Sequence, residues 1–234
     1  MNKNFAFSFI ELSIAIVIIA FLIAGSTTGY KLIENSKVNG FIAEMQNIMR
    51  ATNNFQLTYK SLPGDTNKAH YFFASQNCGG GTEDDCNGNN NYIIDNHTVE
   101  DPYQEAHNVW NHLFFAGFLP DITPADNTVY KSKILDGVTV SLRTPEYQIG
   151  AQRADRIANS IYDTYSNRGR IFEPNIAFKI DRKMDDGLAS QGKVQTVNAY
   201  DDSSVSSTTC LSSGEYNFST TTEECAIRIT LDLL

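Results

Sequence analysis

The chain has 234 residues, a formal net charge of -9, 41% hydrophobic residues and four cysteines. That much apolar material supports a real core and excludes a wholly disordered protein. The acidic balance, with no cluster of Lys and Arg, argues against direct nucleic-acid binding, because affinity for phosphates comes largely from clustered cations.

The first predicted element is the run from Phe7 to Ala24, FSFIELSIAIVIIAFLIA, whose only charge is Glu11. At about 1.5 Å per residue, a helix of this length nearly crosses a hydrocarbon layer of about 30 Å. Such a run is a membrane helix or the apolar part of a secretory signal, with Lys3 before it and a small-residue cleavage position at Ile23-Ala24. Glu11 separates the two readings. A carboxylate in a membrane segment costs on the order of 2–3 kcal/mol unless it finds a partner, and a disposable signal has no use for that cost. Lys3, the one basic residue ahead of the run, places the amino end in the cytoplasm and the bulk of the chain outside it.

Ala6-Phe7-Ser8-Phe9-Ile10-Glu11-Leu12 followed by an apolar run resembles the prepilin amino-terminal motif of type IV pilins and type II secretion pseudopilins. The resemblance implies a leader over residues 1–6, cut by prepilin peptidase between Ala6 and Phe7, and methylation of the new Phe7 amine. It implies that Glu11 of one subunit meets the positive amino terminus of its neighbour, turning a lone buried charge into a pair. It further implies a membrane and filament-core helix over 7–24, an amphipathic helical half over 25–62 and a globular domain over 63–234. The family usually has Gly before the cut, where this chain has Ala6.

Gly25-Ser26-Thr27-Thr28-Gly29 are poor helix formers in succession, which predicts a kink, a locally melting stretch or an interfacial break; the two glycines also fit the small-xxx-small pattern of packed membrane helices. Beyond them Val38, Phe41, Ile42, Met45, Ile48, Met49, Phe55 and Tyr59 recur mainly at three- and four-residue steps, an amphipathic helix. Leu62-Pro63-Gly64-Asp65 stops it.

Residues 64–100 read as loop. A second helix is expected from Asp101, with Pro102 at its first position and Gln104 placed for a capping box, ending near Gly117, with Ala106, Val109, Trp110, Leu113 and Phe114 facing inward. Thr128 to Ile134 and Val138 to Leu142, around Asp136-Gly137, read as a hairpin. Glu146 to Ile149 adds a strand, Ala154 to Tyr165 is helix or loop, Pro174 to Met184 is a helix closed by Asp185-Asp186-Gly187, and Cys225 to Leu234 is a terminal strand. Leu62-Pro63-Gly64-Asp65, Trp110-Asn111-His112-Leu113 with Ala116-Gly117, and Ile180 to Gly187 also look like segments of a prepilin-like group. The expected fold is α+β: a long amino-terminal helix on an antiparallel sheet, pilin-like.

Cys78, Cys86, Cys210 and Cys225 form two locally spaced pairs, read in an exported protein as two disulfides rather than a zinc site, which wants tighter C-x-x-C spacing. Sequence does not fix the connectivity; short loops favour Cys78–Cys86 and Cys210–Cys225. Asn87, Asn89, Asn91 and Asp95 fall at positions one, three, five and nine of a loop like that of an EF-hand, a weak calcium pattern. Tyr92 replaces its turn Gly, Thr98 stands in place of its bidentate Glu, and an Asn-rich loop closed by a disulfide is the simpler reading.

His70, His97, His107 and His112 lack ligand spacing, Gly79-Gly80-Gly81 lacks the residues of a phosphate loop, and no Ser or Cys sits in a nucleophile elbow. The expectation is therefore a structural protein, not an enzyme and without a cofactor other than the calcium considered above. It is held as a single-pass protein in the inner membrane with its globular part in the periplasm, then extracted by assembly machinery into a filament by self-association. The alternatives are a periplasmic binding or enzymatic domain released by an ordinary signal peptidase, and a membrane-tethered adhesin that never polymerises.

Overall fold

The computed structural model describes residues 9–73, 86–94, 105–120, 130–135, 138–143, 148–153, 171–198 and 209–230. Helix α1 runs Phe9–Tyr59, α2 Ala69–Phe73, α3 Glu105–Phe115 and α4 Pro174–Met184. The strands are β1 Tyr130–Lys131, β2 Val138–Arg143, β3 Gln148–Arg153, β4 Val194–Asn198, β5 Leu211–Ser212, β6 Glu215–Tyr216 and β7 Cys225–Thr230. The class is α+β, as expected, with every strand pairing antiparallel.

Helix α1 has 51 residues, about 77 Å at the usual rise. Helix continues without interruption through Gly25–Gly29, so the melted stretch or interfacial break considered there does not occur. Two hydroxyls of this stretch turn back onto the helix: that of Ser26 donates to the Leu22 carbonyl (2.8 Å) and that of Thr28 to the Ala24 carbonyl (3.0 Å). Lower down, Val38, Phe41, Ile42, Met45, Ile48 and Phe55 are buried, and Met49 and Tyr59 are partly so. Each fully buried large side chain contributes about 1.5–3 kcal/mol of transfer free energy, which seats this half of the helix on the domain. The ring of Phe41 meets Phe172 edge-on at 5.4 Å.

The main sheet has the order β1-β2-β3-β7-β4. The predicted hairpin partners are β1 and β2, with Tyr130 opposite Val140, although the described first strand is only two residues long. The sheet packs against helices: α3 meets β2, α4 meets β4 and β7, and α1 lies on α3 and α4. Val138, Val140, Leu142, Val194, Ile227 and Ile229 supply its core face. β7 joins β3 to β4, so the carboxyl-terminal strand closes the sheet rather than fringing it.

Two further regions depart from expectation, besides the unforeseen strand β4. Residues 64–100 contain the short helix α2, and a small β5–β6 hairpin precedes β7. Among the described residues one disulfide joins Cys210 to Cys225, tying that hairpin to β7. Cys86 is fully buried, while its expected partner Cys78 lies outside the described residues. So do Ala6, Phe7 and Asp95, the predicted cap at Asp101 and the segment Ala154 to Tyr165.

Candidate functional site

The first candidate is the outer half of α1. From Phe9 to Ile33 its large apolar side chains are exposed, Phe9 to 85%, a surface with no place in water. The helix is long and apolar enough to cross a bilayer. Ser13 donates to the Ile10 carbonyl (2.8 Å), so this hydroxyl, like those of Ser26 and Thr28, has a partner inside its own helix. Glu11 stands in the first turn, where the positive end of the helix dipole favours an acid. Gly25 and Gly29 have open space where a side chain would begin, so another helix can approach closely there.

The second candidate is the junction holding the Asn-rich loop. The Asn87 side-chain oxygen accepts the His70 N–H (2.9 Å), that of Asn89 accepts the Asn91 N–H (2.9 Å) and that of Asn91 accepts the Ile93 N–H (2.7 Å). The oxygens singled out for calcium thus shape the loop itself. Around them stand groups that sequence reasoning passed over. The buried Asp65 carboxylate accepts the N–H groups of Asn91 (3.0 Å) and Tyr92 (2.9 Å), and the buried Glu105 accepts that of Asn89 (2.8 Å). These bonds hold Asn90 and Tyr92 at φ of 60° and 64°, a conformation that costs a non-glycine residue about 1 kcal/mol or more.

His112 completes this junction. Its Nδ1 accepts the Gly64 N–H (2.8 Å), which leaves Nε2–H to donate to the Cys86 carbonyl (2.9 Å). The ring is fully buried and stacked on Phe55 of α1, with centroids 5.9 Å apart. Burial holds its pKa down at about 4, against the modest opposing effect of the Cys86 hydrogen bond. Gly88 is required here because a Cβ would lie 2.4 Å from the Gly64 carbonyl oxygen.

The third candidate is an acidic cluster where α4 ends. Asp181, Asp185 and Asp186 each offer a carboxylate oxygen within 4.8 Å of the others. All three already accept from protein donors. The Tyr216 hydroxyl (2.6 Å) and Gly187 N–H (3.1 Å) donate to Asp181, the N–H groups of Lys193 and Val194 to Asp185, and the Leu188 N–H (2.8 Å) to Asp186. Burial raises the pKa of Asp181, opposed by the Tyr216 and Gly187 hydrogen bonds, and burial also raises that of Tyr216. The arrangement closes the helix onto β4.

No family model, no curated protein and no solved structure matches this chain.

Proposed function

We propose that the chain is a structural subunit, a pilin or pseudopilin, of a type IV pilus-like or type II secretion filament. Prepilin peptidase cuts it between Ala6 and Phe7, it waits as a single-pass inner-membrane protein with its domain in the periplasm, and assembly machinery draws it into the fibre. In this reading its role is structural rather than catalytic. The observation that supports this most is the placement of Glu11: one carboxylate in the first turn of an exposed apolar helix that continues, unbroken, into the core of a disulfide-braced domain. In a bundle of such helices the lipid-facing side chains bury one another, Gly25 and Gly29 admit a neighbour, and Glu11 pairs with a freed amino terminus.

The test has two arms. Mass spectrometry of the exported protein is expected to find a methylated Phe7 at the amino terminus; a start at Gly25 removes the anchor and sinks the proposal. Glu11→Ala is expected to leave membrane insertion and processing intact and to reduce incorporation into filaments. Normal filament yield from that variant overturns the pairing role and favours a tethered protein indifferent to Glu11.

A further inference from the structure

The 61–66 turn, the 86–94 loop and α3 are distant in sequence, and a single imidazole joins all three. His112 takes a proton donor from Gly64, 48 residues away, and gives one to Cys86, 26 residues away. We propose that His112 is an acid-released latch, which fastens the Leu62-Pro63-Gly64-Asp65 turn and the Asn-rich loop to α3 at neutral pH and lets both go when the medium turns acid.

The geometry sets protonation against fastening. Nδ1 is the atom that would gain the proton, and it is the atom accepting the Gly64 N–H. Once protonated it presents a hydrogen to a hydrogen, so the imidazolium loses its hold on the turn. In the closed state the ring is shut off from bulk solvent, fully buried against Phe55 and Phe73. Two carboxylates brace the same loop, Asp65 from the turn and Glu105 from α3; of the other packed elements, α1 carries Arg50 and Tyr59 near Phe55 and is followed by Lys60, and α2 carries His70 and Tyr71. The main sheet does not share the latch: β4 and β7 are held by their own ladder and by the Cys210–Cys225 bridge. Opening is therefore local to the turn and loop. It operates whether or not the chain polymerises.

The sign follows from linkage. The ring binds a proton less readily when latched than when free, so the closed state is fully favoured above the ordinary value of 6.5 and loses ground as pH falls from there to about 4. From 6.5 down to about 4, the closed-to-open ratio is expected to fall roughly 30-fold by pH 5 and about 100-fold by pH 4, relative to pH 7.5.

Hydrogen exchange on the full-length oxidised chain in detergent micelles tests this, with each amide corrected for its intrinsic rate. The Gly64 amide and those of Asn89 to Tyr92 are expected to lose protection by these factors between pH 7.5 and 5, while those of β4 and β7 hold theirs. His112→Gln keeps an acceptor and a donor but gains no proton, and its loop protection is expected to be flat over the same range. Unchanged protection in the wild type overturns the latch, as does an equal loss in His112→Gln, which assigns the effect to Asp65 and Glu105. Should that variant not fold, nitrogen NMR of the wild-type imidazole decides. A midpoint near 4 with loss of Gly64 protection supports the latch; a midpoint near 6.5 with Gly64 still protected overturns it.

Discussion

The Glu44 carboxylate accepts the Tyr130 hydroxyl at 2.7 Å, joining the middle of α1 to the edge strand β1 across 86 residues of sequence. The same carboxylate accepts the Ser132 hydroxyl (2.6 Å) and the Lys133 N–H (2.7 Å), so one side chain fastens the helix to the β1–β2 hairpin. Glu44→Ala is expected to cost about 2–3 kcal/mol, since hydrogen bonds to a charged group contribute about 1.5–3 kcal/mol and these share one acceptor. Tyr130→Phe is expected to cost less. In a double-mutant cycle by urea unfolding, a coupling below about 0.5 kcal/mol counts against a shared tether.

Two glycines at the junction leave no room for a methyl group. Gly64 has φ of 92° and its Cβ would lie 2.5 Å from the Glu105 carbonyl oxygen, while Gly88 faces the Gly64 and Asp65 backbone at 2.4–2.5 Å. Gly64→Ala and Gly88→Ala are each expected to destabilise by at least about 2 kcal/mol. Gly117→Ala has a positive φ but open space around it, and is expected to cost only about 1 kcal/mol. Thermal unfolding of all three checks the ranking.

The Cys210–Cys225 bridge spans 15 residues, a loop whose closure stabilises by about 3 kcal/mol in the chain-entropy account. Replacing both cysteines with serine is expected to lower the unfolding midpoint and to raise exchange at the β5–β6 hairpin first. A double variant with the midpoint of the oxidised parent shows that the bridge adds nothing.

Tyr216 stands between Asp181 and Thr196, 2.6 Å from the first and 2.9 Å from the second. Tyr216→Phe removes a hydroxyl from a buried carboxylate, with an expected cost of about 1.5–3 kcal/mol at pH 7. Because the Asp181 pKa is already raised, the folded state favours the protonated acid, so that side chain's contribution is greatest at low pH and is lost as pH rises through its folded value. Asp181→Asn is accordingly expected to flatten the fall in stability between the ordinary value of 3.8 and the raised folded one, which urea unfolding across pH measures.

Sequence periodicity was informative wherever the signal is local. The stripe from Val38 to Tyr59, the helix Pro174 to Met184 with its Asp185-Asp186-Gly187 end, and the start of the last strand at Cys225 stand where pattern and punctuation put them. At Gly25–Gly29 propensity allowed for a melted stretch that does not occur, because in an apolar stretch the Ser26 and Thr28 hydroxyls turn back onto helix carbonyls. Pattern missed β4, a short strand whose place is fixed by β7 and by Asp185 rather than by alternation. The roles of Asp65, Glu105 and His112 were illegible for a further reason: each is a buried polar group whose partners lie far along the chain, and no window of neighbouring residues contains the pair.

The unbroken course of α1 has a mechanical consequence. A pull on its amino end runs along the helix axis, and the seated residues Phe41, Met45, Ile48 and Phe55 must then slide past their partners together, loading the joint in shear. The same force applied sideways peels them away one turn at a time. Single-molecule extraction is therefore expected to need a higher rupture force lengthwise than crosswise, and equal forces in the two directions would mean that the rod is not rigid under tension.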